Sequence, residues 1–243
     1  FDFLTVNDTA SMLYYGDRSG DFLMVKRMDD GALDTKEIID GTVRWRHRIP
    51  GAELQSVTKE LVDLEDTYDP RTRPWYQGAA ESGGLFWTEV YVFWSDKKPG
   101  VTAALPLHGD NGALRGVVAI DVGLTDLSSY LAQIEVGASG RAFILDHSGR
   151  IIASSEDNEA PIENPGSTTA PTLLHLSQSL QPGSGQLAAL VARYQPTLSD
   201  LSRPRPFRFQ HDDDDFVAAL TPVTLNEDRR WIVGVMAREE DFL

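Results

Sequence analysis

Apolar positions along this chain recur mostly with a period of two. From Thr42 to Ile49, Val43, Trp45, His47 and Ile49 alternate with Arg44, Arg46 and Arg48, the pattern of a half-buried strand. Met12-Leu13-Tyr14-Tyr15 and Phe22-Leu23-Met24-Val25 flank Gly16-Asp17-Arg18-Ser19-Gly20, which predicts a hairpin. Asp29-Asp30-Gly31 predicts a second tight turn, because Asp-Gly supplies the positive φ such turns need. Further strands are predicted at Phe86–Phe93, Val101–Leu107 and Leu114–Val122. Helical spacing of Leu127, Tyr130, Leu131 and Ile134 predicts a helix over Thr125–Ile134, with Thr125 as its cap. Val136-Gly137-Ala138-Ser139-Gly140 then breaks the pattern and marks a boundary between two modules, 1–135 and 136–243.

The second stretch begins again with a strand pair, Ala142–Leu145 and Ile151–Ser154, around Asp146-His147-Ser148-Gly149. Residues 155–172, rich in Glu, Asn, Pro, Ser and Thr, read as a long loop. Leu173–Leu180 and Leu187–Tyr194 read as short helices interrupted at Gln181–Gly185. Phe207–Gln210, Phe216–Leu225 and Arg230–Ala237 complete an antiparallel set, with His211–Asp215 as a polar turn.

The two halves resemble each other. Asp17-Arg18-Ser19-Gly20 and Asp146-His147-Ser148-Gly149 share an Asp-x-Ser-Gly turn. Near the end of each half an apolar strand runs into an acidic stretch, Val117–Leu127 and Ile232–Phe242. Setting Asp126 against Asp241 places Asp121 opposite Met236. The fold class predicted is α+β, two copies of one module of antiparallel strands and flanking helices. The first copy holds a carboxylate where the second holds a thioether, so a polar pocket is expected in the first.

Composition narrows the chemistry. Acidic residues number 37 against 22 basic, a net charge of −15 over 243 residues; so negative a surface repels nucleic acid and anionic lipid. With no cysteine, disulfides, thiolate metal sites and cysteine nucleophiles are excluded. No apolar run reaches the ~18 residues of a membrane span. The opening Phe1-Asp2-Phe3-Leu4 is read as the start of a segment of a longer polypeptide. The five histidines show no metal-ligand spacing, and no nucleophile–base set or phosphate-binding loop is visible, so neither an enzyme nor a cofactor is expected. Arg44, Arg46 and Arg48 are expected to pair with nearby acids.

Tyr68-Asp69-Pro70-Arg71-Thr72-Arg73-Pro74-Trp75-Tyr76 is the densest stretch for binding chemistry. Its prolines stiffen the backbone and push Asp69 and Arg73 towards extended conformations. An arginine fork matches a carboxylate in bidentate geometry, and aromatic faces attract a cation. Such a pocket suits a zwitterion. The alternative is a salt-bridged arginine with aromatics packed as core.

This stretch, with Trp87-Thr88-Glu89-Val90-Tyr91, Gly116–Asp121 and Gly137–Asp146, resembles the double Cache family of extracytoplasmic sensor domains of bacterial receptors. The likeness runs from about Met12 to the C-terminus. It implies two tandem PAS-like modules behind a long N-terminal helix, largely truncated here, with ligand bound in the membrane-distal first module. Residues Tyr68, Arg73, Trp75, Tyr76 and Asp121 fall where an amino-acid-sensing subset of the family holds its ligand, and Tyr91 matches an aromatic wall position. In that subset the Arg and Trp hold the carboxylate, and the Tyr and Asp hold the ammonium. One departure is Phe93, where many of these sensors carry a second Asp. The resemblance implies a non-catalytic periplasmic or extracellular domain of an inner-membrane receptor. It would be flanked by transmembrane helices and dimeric in the full protein, and would bind an amino acid or related carboxylate or amine. The output domain it implies is a nucleotide cyclase, a histidine kinase or a methyl-accepting chemoreceptor. The competing expectation is an interaction or structural module whose pocket is filled by its own side chains.

Overall fold

A computed structural model describes residues 2–7, 9–49, 56–156, 161–163, 171–179, 182–194, 198–226 and 229–243. They divide into two units, Phe1–Gly123 and Leu124–Leu243. No helix among the described residues is long and apolar enough to cross a membrane.

The first unit opens with α1 (Asp2–Val6), followed by β1 (Met12–Asp17), β2 (Phe22–Arg27), β3 (Leu33–Ile39), β4 (Thr42–Arg48) and β5 (Val57–Asp63). Helix α2 (Pro74–Ser82) precedes two-residue strands β6 (Phe86–Trp87) and β7 (Tyr91–Val92), then β8 (Pro99–His108) and β9 (Leu114–Gly123). The sheet order is β5-β4-β3-β2-β1-β9-β8-β6, with β7 also on β8. All pairings are antiparallel.

The β1–β2 hairpin follows from Asp17. Its Oδ1 accepts the amides of Ser19, Gly20 and Asp21 at 2.8, 2.9 and 2.9 Å, and Gly20 takes the positive φ of 100° that closes the turn. Helix α2 starts at Pro74, whose missing N–H costs nothing in the first turn, and stops at left-handed Gly83. It buries Trp75, Tyr76 and Ala79 against a core of Met12, Tyr14, Phe22, Met24, Ile38 and Val117.

The strand expected over Phe86–Phe93 is instead two. Thr88 interrupts it, because its hydroxyl accepts the Thr102 amide at 2.9 Å, a bond that a continuous strand would make through its backbone. Two of the three arginines of β4 pair with acids as expected: Arg46 with Glu37 at 2.6 Å and Glu60 at 3.0 Å, and Arg44 with Glu60 at 3.9 Å. The Arg48 guanidinium donates to the Leu33 and Arg46 carbonyls and the Thr35 hydroxyl, each at 3.3 Å.

The second unit contains α3 (Leu124–Leu131), β10 (Arg141–Asp146), β11 (Ile151–Ser154), α4 (Pro182–Tyr194), β12 (Arg205–His211), β13 (Asp214–Asn226) and β14 (Arg229–Arg238). Its sheet order is β11-β10-β14-β13-β12. Phe143, Leu145, Ile151, Leu187, Leu190 and Ile232 form its core. The division at 123/124 falls one helix earlier than the expected 135/136. Helix α3 packs on β11, where buried Ser128 accepts the Ser154 amide at 3.3 Å through its hydroxyl.

Two helix expectations need correction. Of the helix expected over Leu173–Leu180, the described residues 173–179 form only a 3-10 turn at Leu176–Gln178, capped by the His175 ring, which accepts the Ser177 amide. Gly183-Ser184-Gly185 does not interrupt a helix; it lies in the first turns of α4, which begins at Pro182. Leu180, Gln181 and most of the expected 155–172 loop lie outside the described residues.

The inferred duplication is visible in the topology. Each unit opens its sheet with a hairpin whose first strand pairs with the unit's last strand, which in turn pairs with the penultimate one. The Asp146 turn repeats the Asp17 device: Oδ1 accepts the Ser148 and Arg150 amides, both at 2.9 Å.

Candidate functional site

Register assembles the centre of the first unit. Asp121 on β9 lies opposite Met12 on β1 and Thr102 on β8. Two residues along, Tyr14 lies opposite Ala119 and Met24, and Met24 opposite Lys36 on β3. Side chains two apart share a face, so Met12, Tyr14, Met24, Thr102 and Asp121 converge.

Asp121 is 3% exposed. Tyr14 donates to its Oδ1 at 2.5 Å, as does Thr102 at 2.5 Å. The Thr102 hydrogen is thereby committed, so Tyr91, 2.7 Å from Thr102 Oγ1, donates to it. Burial pushes the carboxyl up to about 7, against the hydroxyl bonds and Arg73, which lower it. Burial also raises the phenols of Tyr14, Tyr68 and Tyr91, which keeps all three as donors.

Arg73 caps α2 in an extended conformation, φ −88° and ψ 146°, as expected for a residue before proline. One guanidinium nitrogen donates to the Val92 carbonyl at 3.3 Å. The group lies 5.5 Å from the Tyr91 ring centre and 5.8 Å from that of Trp94. Among the described residues, Arg73 has no carboxylate at ion-pair distance, and Asp121 has no cation.

Both groups line one cavity, together with Tyr68 and Tyr91. Tyr14, Met12, Phe22 and Met24 form its floor, and Phe93, Trp94 and Ser95 its outer wall. It measures about 10 Å³, room for a single water at most. Trp75 does not line it. Buried behind Tyr68, it donates from Nε1 to that hydroxyl at 3.3 Å and packs edge-on to Tyr14 with ring centres 4.8 Å apart. Tyr76 does not line it either, and packs edge-on to Trp75 at 5.5 Å. Phe93 is buried in the wall, over Gly100.

Beside the cavity, buried Lys36 binds Asp66 at 2.5 Å beneath the Tyr68 ring, 4.6 Å from its centre. Burial lowers the Lys36 ammonium despite that partner. Burial would raise the Asp66 carboxyl, but the bonds from Lys36, the Tyr68 amide and Trp94 Nε1 hold it below its ordinary value. Asp66 thus ties the sheet to the outer wall through Trp94 Nε1 at 3.1 Å.

Tyr14, Thr102, Trp94 and Met24 were not singled out in the sequence. For Tyr14 and Met24 a signal existed: each shares the inward face of its predicted strand with a core residue. Thr102 needs the β8–β9 register, and Trp94 the fold of the following turn. In the second unit, Met236 lies opposite Ala218 and Arg141. The position equivalent to Asp121 therefore faces an alanine where Asp121 faces Thr102. Among the described residues, no cluster of His, Asp and Glu could hold a metal ion.

The profile of the Cache domain matches residues 36–243. Methyl-accepting chemotaxis protein McpB of Bacillus subtilis is 43% identical over 82 residues, 33% of this chain and 12% of that protein. Methyl-accepting chemotaxis protein PctB of Pseudomonas aeruginosa is 31% identical over 97 residues, 40% of this chain and 15% of that protein. The match therefore spans a small part of each relative's length. Among solved structures, the ligand-binding domain of Campylobacter jejuni chemoreceptor Tlp3, in complex with 4-methylisoleucine, superposes with a TM-score of 0.51 at 17% identity, covering 95% of this chain and 66% of that one. The ligand-binding domain of PctB, in complex with L-Arg, gives 0.50 at 18% identity, covering 95% and 72%. With the profile covering most of its length and the duplicated sheets matching that fold, the chain belongs to the Cache domain family.

Proposed function

We propose that this chain is the non-catalytic, extracytoplasmic sensing part of a transmembrane chemoreceptor, and that its first unit binds a small amino acid. One observation carries the reading: among the described residues, an arginine with no carboxylate at ion-pair distance and a buried carboxylate with no cation line the same cavity. Opposite unpaired charges in one enclosure fit the two ends of a zwitterion. Arg73 takes the ligand carboxylate. Asp121 takes the ammonium through Oδ2, since Tyr14 and Thr102 both occupy Oδ1. Tyr68 and Tyr91 complete the polar shell, and Trp75 positions Tyr68. Tyr76 supports Trp75 from behind.

Each charged contact contributes roughly 1.5–3 kcal/mol, and micromolar affinity needs about 8 kcal/mol. Contacts to the ligand side chain supply the remainder. Relatives named as methyl-accepting chemotaxis proteins favour a chemoreceptor output over a cyclase or kinase. In this reading the first unit is membrane-distal and the second proximal, membrane helices flank the segment, and the receptor works as a homodimer. Ligand biases signalling through its different affinities for two receptor states.

A cavity of about 10 Å³ supports the second reading, a self-filled module that senses through a partner protein. Arg73, which lacks an acidic partner among the described residues, speaks against it. Thermal-shift screening of the purified chain against the twenty amino acids separates the two. The sensing reading expects stabilisation by at least one amino acid, lost in Arg73→Ala. No shift with any of them sinks it.

A further inference from the structure

We infer that the ligand side chain is uncharged and apolar, selected by the apolar lining residues Met12, Phe22, Met24 and Phe93. This rests on the amino-acid reading. Arg73 and Asp121 are the only charged side chains among the described residues lining the cavity, and the two ends of the ligand engage both. What remains for a side chain is largely apolar. Met12 lies beside Asp121 in register, so the apolar floor begins at the ammonium site and continues across β1 to Met24 and Phe22 on β2. Met12, Phe22, Met24 and Phe93 are all buried.

A third ionised group entering this space would lose its water and find no partner. Of the neighbouring lysines, Lys36 pairs with Asp66 at 2.5 Å and Lys26 with Asp96 at 3.7 Å, while exposed Lys97 lies over the Trp94 ring, 4.4 Å from its centre; none of the three lines the cavity. Ser95, the small polar group of the wall, turns its hydroxyl to the Met24 sulfur at 3.9 Å. Methionine is unbranched and polarisable, so it repacks around side chains of different shape. Discrimination is therefore strict against charge and loose against branching. Such a floor also suits a cavity that must open before it fills, because side chains and not backbone occupy its space.

The test is calorimetric titration of the purified chain with L-leucine, L-methionine, L-lysine and L-glutamate. Leucine and methionine are expected to bind within about tenfold of each other, with lysine and glutamate at least 100-fold weaker. Lysine or glutamate binding as tightly as leucine overturns this inference and leaves the amino-acid reading standing. If none of the twenty amino acids binds, that reading fails and this one with it. Met24→Gln tests the floor directly: the ratio of leucine to lysine affinity should fall at least tenfold. An equal fall for both ligands would mean that Met24 acts on the fold and not on the side chain, and would overturn the assignment.

Discussion

Asp121 and Met236 occupy the same place in the two units. Each lies opposite the first residue of its unit's opening hairpin, Met12 and Arg141 respectively, and each is buried. One position thus holds a group that costs stability when ionised, and the other a group that does not. The contrast marks where the fold gives up stability for a polar site.

The cost should be visible in pH titration. Burial pushes the folded Asp121 carboxyl up to about 7, above the ~3.9 of an unfolded aspartate. Below both values it is protonated in either state and contributes nothing. Between about 4 and 7 the unfolded chain gives up its proton and the folded chain does not, so stability falls as pH rises, by up to about 4 kcal/mol. Above 7 the loss is complete. Urea denaturation of wild type and Asp121→Asn across pH 4–8 should give a difference curve that grows through this window in favour of the variant. A flat difference would remove the assignment.

Ligand affinity should follow the same group with the opposite sense. An ammonium needs the ionised carboxylate, so below pH 7 binding must expel a proton. Affinity is expected to weaken about tenfold per pH unit between 7 and 5. Calorimetry in buffers of different ionisation enthalpy should report close to one proton released at pH 5.5 and almost none at pH 8.

Lys36 and Asp66 form a buried pair whose members are unequal. The Lys36 side chain is 1% exposed and that of Asp66 10%. Asp66→Asn should cost about 3 kcal/mol, because it strands the ammonium. Lys36→Met combined with Asp66→Asn should recover most of that, since neither charge then remains. Urea midpoints check both, and a double variant no more stable than the single one would contradict the account.

Gly100 is required by Phe93. A Cβ there would lie 2.1 Å from Phe93 Cζ and 2.6 Å from the Val122 carbonyl oxygen. Gly100→Ala should destabilise by about 1–3 kcal/mol through overpacking. Phe93→Ala alone opens a cavity and should cost about 3–5 kcal/mol, so the comparison is made in that background. There the ring clash is gone and the backbone one remains, and the added cost of Gly100→Ala should shrink without vanishing. No added cost in that background, measured by thermal melting, would show that the backbone contact is harmless.

Much of the frame was legible along the chain. The Asp17 and Asp146 turns were readable because a short carboxylate accepting the next few amides is a local device, complete within five residues. The alternation on β4 was readable for the same reason; which acids Arg44 and Arg46 take was not, since Glu37 and Glu60 lie on the neighbouring strands β3 and β5. Two features misled. A continuous strand over Phe86–Phe93 ignored the hydroxyl of Thr88, which competes for a backbone amide fourteen positions ahead. A helix break at Gln181–Gly185 treated glycines as an interruption when Pro182 makes them a beginning.

The site divides along the same line. Along the chain, the family resemblance pointed to Arg73, the proline after it predicted only its extended backbone, and the repeat singled out Asp121 through its odd counterpart. Tertiary structure alone decided that these two share a cavity, that Trp75 and Tyr76 stand behind it, and that Tyr14 and Thr102 load one oxygen of the carboxylate. Those facts depend on strand register and on burial. Both are set by residues paired across strands, 19 positions apart for Thr102 and Asp121 and 107 for Tyr14 and Asp121, and no pattern within a strand carries that information.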